Sequence, residues 1–132
     1  MKLSTPQKIF LVISCFIVSV IGFMVKLPPV FRHADKELHA LFYFLAAALL
    51  NLLFTGTKIL RHILVFAVLF GMGVLIEYAQ EYSNKLLHKT IHGRFDPEDI
   101  KANLMGLVSF SILWLIWLAG RLLYRRSRMK AG

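Results

Sequence analysis

Residues 93–120 read GRFDPEDIKANLMGLVSFSILWLIWLAG. The first half, Gly93 to Gly106, carries Arg94, Asp96, Glu98, Asp99, Lys101 and Asn103, whereas the second half carries no charge at all. The apolar part is continuous rather than alternating, so it reads as helix and not as strand. From Asp99 to Gly120 it is long enough to cross ~30 Å of hydrocarbon at ~1.5 Å per residue. Asp96 suits an N-cap, Pro97 suits the first helical position, and Asp99 follows three residues after the cap, as in a capping box. Negative charge there also complements the positive end of the helix dipole. A polar helix start therefore runs directly into a membrane-type span.

Three more runs of the same kind precede it. Their apolar stretches are Ile9 to Val25, Leu38 to Phe54 and Ile59 to Tyr82. With their polar ends, the four helices are expected at about 9–26, 36–54, 58–82 and 97–120, followed by a basic tail over 121–132. Pro28 and Pro29 should stop the first helix, since neither can donate a backbone hydrogen bond. The chain of 132 residues is 58% hydrophobic, with a mean hydropathy of +0.65. A water-soluble domain of that size could not hide so much apolar surface. The expected fold is all-α: a single-domain, polytopic four-transmembrane-helix bundle, because lipid-embedded backbone must satisfy its hydrogen bonds internally.

The net charge is +9. Its basic residues flank apolar spans instead of lining one amphipathic face, so no nucleic-acid partner is expected. Four spans put both termini on one side. That side holds Lys2, Lys8, Lys58, Arg61, Arg121, Arg125, Arg126, Arg128 and Lys130, and no acid. The other side holds Lys26, Arg32, Lys36, Lys85, Lys89, Arg94 and Lys101, with every carboxylate of the chain: Asp35, Glu37, Glu77, Glu81, Asp96, Glu98 and Asp99. The positive-inside rule then places both termini in the cytoplasm. The dense tail suits an anionic leaflet, and Trp114 and Trp117 are expected at the inner interface. Cys15 stands alone in the first run, reads as a small apolar residue, and can form no intrachain disulfide.

Helical spacing gathers the polar residues into stripes. Asp35, His39 and Tyr43 lie at i, i+4 and i+8; Glu77, Gln80 and Glu81 share a side with Gly73; Asp99, Asn103 and Gly106 lie at i, i+4 and i+7. Such stripes are costly against lipid, so they should turn inward and meet in a polar pocket at the outer face. Arg94 and Lys36 are the nearest basic candidates to partner Glu77. Gly71, Gly73 and Gly106 can serve close helix packing, and Asn51 and His62 read as interfacial or interhelical hydrogen-bonders. The Leu86–Ile91 stretch is apolar enough for a short interfacial helix.

The blocks DKELHALFY, EYAQ and GRFDPEDIKANLMG resemble, in this order, the three signature blocks of the VanZ-like membrane proteins. The matching residues are Asp35, Lys36, His39 and Tyr43; Glu77 and Gln80; and Arg94, Asp99, Asn103 and Gly106. The resemblance spans about residues 30–110. It implies a small multi-pass protein of the bacterial cytoplasmic (inner) membrane. It also implies a link to the cell envelope, since the founding member is associated with low-level resistance to the lipoglycopeptide antibiotic teicoplanin.

The expected ligand-binding cluster is Asp35, Lys36, His39, Tyr43, Glu77, Gln80, Arg94, Asp96, Asp99 and Asn103. Its expected partners are membrane lipids and a lipid-linked cell-wall precursor or a lipoglycopeptide, with Arg94 and Lys36 holding an anionic head group. A membrane-embedded hydrolase or transferase is the alternative. His39 with Glu77 or Asp99 would then act as base and Tyr43 as proton donor. A His–Glu–Asp constellation also has the donor types for a divalent metal. No HExxH spacing exists, however, and His88 and His92 stand in a loop, so no metal or cofactor is expected from spacing. A small dimeric transporter is the third reading, weakened by the absence of charge in helix 1 and of any internal repeat.

Overall fold

The computed structural model describes residues 3–24, 34–89 and 94–130, with 22–24 by backbone alone. Within them the chain forms four helices: α1 (Thr5–Met24), α2 (Asp35–Leu50), α3 (Ile59–Leu86) and α4 (Pro97–Lys130). No strand occurs among the described residues. Pro28, Pro29, Lys26, Arg32 and His92 lie outside them.

Alpha-helical structure follows from long runs of Leu, Ile, Phe, Val and Ala with no internal proline. Three of the helical stretches are long and apolar enough to cross a membrane: Asp35–Thr55, Ile59–Leu86 and Pro97–Lys130. The apolar part of α1, Thr5–Ile21, is shorter. α2 and α4 run parallel, because His39 near the start of one bonds Asn103 near the start of the other. α3 runs against both, because His62 near its start meets Asn51 at the end of α2.

Besides the earlier start of α1, at Thr5 and not at residue 9, the boundaries depart from expectation in three places. α2 does not continue as a regular helix to residue 54 but widens into a π-helical turn over Asn51–Thr55. Buried residues on this segment fall at His39, Tyr43, Ala47, Asn51 and Thr55. Positions four apart drift about 40° per step around a 3.6-residue helix. The wider turn brings Thr55 back to the buried side. Its outermost carbonyls are taken by basic side chains: Lys8 donates to the Leu53 carbonyl at 3.0 Å and Arg61 to that of Phe54 at 3.0 Å. Gly56, at φ 58°, then reverses the chain.

The second departure is at the end of α3. The helix runs on to Leu86, and Leu87 and His88 close it, with His88 at φ 48°. The described part of the Leu86–Ile91 stretch therefore forms a helix terminus and not a separate interfacial helix. The third is α4, which does not end at Gly120 but extends through the basic segment to Lys130. Arg, Leu, Met and Lys are good helix formers, and nothing after Gly120 breaks the ladder.

Burial is inverted relative to a water-soluble protein. Large apolar side chains point outward, with Phe10 74% and Leu52 84% exposed. The interior holds His39, Asn51, Thr55, His62, Glu77, Gln80, Asp99 and Asn103. A core of Tyr43, Ala47, Leu69 and Leu107 separates them into two polar layers. Lipid favours this arrangement, because apolar surface costs nothing there while polar groups must find partners inside.

Candidate functional site

The upper layer forms where the starts of α2 and α4 meet the second half of α3. Close approach comes first. A Cβ on Gly106 would lie 2.9 Å from the carbonyl carbon and 3.1 Å from the Cα of Ala40, so only glycine lets α4 lie this near α2. Gly73 does the same for α3, since a Cβ there would meet the Asn103 Nδ2 at 2.8 Å and the Tyr43 hydroxyl at 2.9 Å. Gly71 has open space instead and serves no packing contact.

With the backbones this close, the stripes converge. His39 Nδ1 lies 2.9 Å from Asn103 Oδ1, joining α2 to α4. An amide oxygen only accepts, so Nδ1 carries the proton and Nε2 faces away. Nε2 lies 4.0 Å from Asp35 Oδ1 and 4.0 Å from Asp99 Oδ2. Glu77 is 1% exposed and Asn103 is 2% exposed, while Tyr43 and Gln80 are buried with them. Asp35 sits at the rim, its side chain 38% exposed.

The start of α4 departs from a simple capping box. Asp96 caps as expected: its Oδ1 accepts the Glu98 N–H at 2.9 Å. Its own N–H, however, is not returned to Asp99 but donated to Glu77 Oε2 of α3 at 3.1 Å. A carboxylate from another helix thus takes the place of the third-residue acid. Asp99 is released to face His39, and its Oδ1 is buried with no hydrogen-bond partner among the described residues.

The basic candidates fall elsewhere. The expected pairing of Glu77 with Lys36 or Arg94 is corrected: among the described residues no salt bridge reaches Glu77, and the Asp96 backbone supplies its donor. Lys36 pairs with Asp96 at 3.8 Å on the surface. Arg94 is exposed and in electrostatic reach of Glu81, which itself pairs with Lys85 at 3.2 Å. Lys36, Arg94 and Asp96 therefore frame the cluster, while His39, Tyr43, Glu77, Gln80, Asp99 and Asn103 form its interior.

The lower layer is a second polar joint. Asn51 donates to the Ala47 carbonyl at 2.7 Å, leaving its Oδ1 for His62 Nδ1 at 2.8 Å. His62 Nε2 meets Ser111 Oγ at 3.1 Å. Of the two roles their positions allow, interfacial or interhelical, Asn51 and His62 take the interhelical one. Trp114 is buried inside the bundle, stacked on His62 with centroids 4.2 Å apart and planes 2° from parallel. Ser111 and Trp114 extend the stripe of Asn103 and Leu107 at helical spacing, a signal that hydropathy alone hides. Trp117 is half exposed, with the Arg121 guanidinium 5.2 Å from its ring centroid.

An apolar cavity of about 440 Å³ lies between α1, α2 and α3. Phe16, Phe42, Leu69 and Met72 line it, and Tyr43 belongs to both this cavity and the polar layer. Compared with models of known protein families, with characterised proteins and with solved structures, the chain finds no match.

Proposed function

We propose that this chain is a multi-pass protein of the bacterial cytoplasmic membrane, with four spans and both termini in the cytoplasm. Its upper polar layer binds the head of an amphiphilic cell-envelope molecule, either a lipid-linked cell-wall precursor or an acylated antibiotic of the lipoglycopeptide kind. The carrying observation is the convergence of His39, Glu77, Asp99 and Asn103 from three helices into one desolvated cluster at the carboxylate-rich end. Burying ionisable groups near a membrane costs up to ~2.5–3.5 kcal/mol each at mid-depth and less near the surface. Helix association alone needs much less polar machinery, since an interhelical hydrogen bond averages ~0.6 kcal/mol.

The adjoining cavity supports the amphiphile. Tyr43 links the polar cluster to an apolar space where an acyl chain would lie. Lys36 and Arg94 at the rim offer charge to an anionic head. The order of motifs, which resembles the VanZ-like proteins, agrees with an envelope role. At 34 residues α4 exceeds what the hydrocarbon needs, so its basic end projects beyond it, and the positive-inside rule assigns that end to the cytoplasm.

A membrane-embedded hydrolase or transferase is the second reading. It is favoured by His39 Nε2 facing two carboxylates at 4.0 Å, an arrangement suited to a base. Binding to purified protein in nanodiscs separates the outcomes. Lipid-linked muropeptide and a lipoglycopeptide should bind the native chain, and Asn103→Leu or Arg94→Ala should weaken binding tenfold or more. Equal binding by all three proteins removes the assignment; turnover of the precursor moves it to the enzyme.

A further inference from the structure

Among the described residues one group has the donors and the spacing of a metal site. Asp35, His39 and Asp99 each offer a ligand atom, and the three atoms lie within 4.8 Å of one another. Three points so spaced share a centre no more than about 2.8 Å from each, against ~2.0–2.2 Å for nitrogen and carboxylate oxygen on zinc. Side-chain rotation covers a difference of that size, and Asp35, at the first turn of α2 and 38% exposed, is placed to rotate.

Two further observations point to a ligand. Asp99 is 8% exposed, its Oδ2 is turned to His39 Nε2, and its Oδ1 is buried without a hydrogen-bond partner among the described residues. A buried carboxylate in that condition calls for a cation or a donor. In addition, Asn103 holds the Nδ1–H of His39 at 2.9 Å, so the nitrogen aimed at both carboxylates is Nε2. An imidazole whose outer N–H is fixed by a buried carbonyl-type oxygen is the usual support for a metal-bound histidine.

We infer that Asp35, His39 and Asp99 bind one divalent transition-metal cation of the zinc or manganese type, with Asn103 positioning His39. One nitrogen and two carboxylate oxygens form a mixed set that such ions accept and that leaves coordination positions open. Those positions lie toward the rim, where Asp35 is exposed. There the ion would meet a phosphate or other anionic group of the amphiphile proposed above. That use rests on the proposed function; the binding of the ion does not.

The test uses the full chain, purified on a tag without histidines, stripped with chelator and placed in nanodiscs. Mn²⁺ is titrated with loss of the free-ion EPR signal as readout, and Zn²⁺ by competition. One ion per chain is expected. Asp99→Asn should lower affinity about a hundredfold and Asp35→Asn at least tenfold. Asn103→Ala, which removes no ligand, should lower it ~10–100-fold. Glu98→Gln, a surface residue paired with Lys101, should bind as the native chain does. Because Asp35 is at the rim, Asp35→Asn decides the matter even if Asp99→Asn fails to fold. No binding tighter than millimolar overturns the inference. So does binding unchanged by Asp35→Asn, or binding lost in His88→Gln, which would place the ion in the loop. Ligand binding that persists without metal leaves the proposed function standing and removes only this inference.

Discussion

Glu77 shows how one side chain can be decided by a neighbour's backbone. Its oxygen accepts the Asp96 N–H at 3.1 Å and so closes the start of α4 from α3. The contact needs an acceptor, not a charge. Glu77→Gln keeps an acceptor oxygen and should cost less than about 1 kcal/mol of stability. Glu77→Leu leaves the Asp96 N–H unsatisfied and should cost ~1–3 kcal/mol. Thermal unfolding of the two variants in the same detergent checks this, and equal losses would mean that the hydrogen bond contributes little. The acid and its inward side of α3 are legible in the sequence. The partner is not, because a backbone N–H has no sequence signature; the spacing of Asp96 and Asp99 pointed to a local capping box instead.

At the scale of the helix, two glycines a few residues from polar positions behave oppositely. Gly106 touches the Ala40 backbone, whereas a Cβ on Gly71 would meet nothing within 4 Å among the described residues. Gly106→Ala should push α4 off α2, disturb the His39–Asn103 bond and cost ~1–3 kcal/mol as overpacking. Gly71→Ala should leave stability unchanged or raise it by up to ~1 kcal/mol through helix propensity. Unfolding midpoints of the pair decide; similar losses at both sites would show that the α2–α4 contact does not depend on glycine at position 106. The π-helical turn belongs to this scale as well. Its cause, a strict four-residue spacing of inward positions from His39 to Thr55, is present in the sequence. It becomes readable only once the inward side is known, since Tyr43 and Ala47 are interchangeable with their neighbours on a hydropathy scale.

For the whole molecule, the proposed orientation rests on charge asymmetry. The carboxylates sit at one end, with the upper polar layer, and the basic residues of α4 at the other. In a chain carrying Cys15→Ser, a membrane-impermeant maleimide should label Glu98→Cys in intact spheroplasts. It should label Arg125→Cys only after permeabilisation. The reverse pattern would turn the protein over and place the polar layer in the cytoplasm, against an envelope ligand.

Hydropathy and helical periodicity alone were enough for four apolar helices, a charge-sorted pair of ends and inward stripes on three helices, with Asp35 and Glu81 left at the rim. Those features depend on the free energy of side chains in lipid and on a fixed 3.6-residue repeat, both local properties of the chain. Which polar group meets which was set by the packed bundle. Close approach at Gly73 and Gly106, the exchange of Asp96's N–H from Asp99 to Glu77, and the burial of Trp114 on His62 all join residues far apart in sequence. Their geometry exists only once three helices share an interior, where each desolvated donor takes the nearest acceptor regardless of its place along the chain.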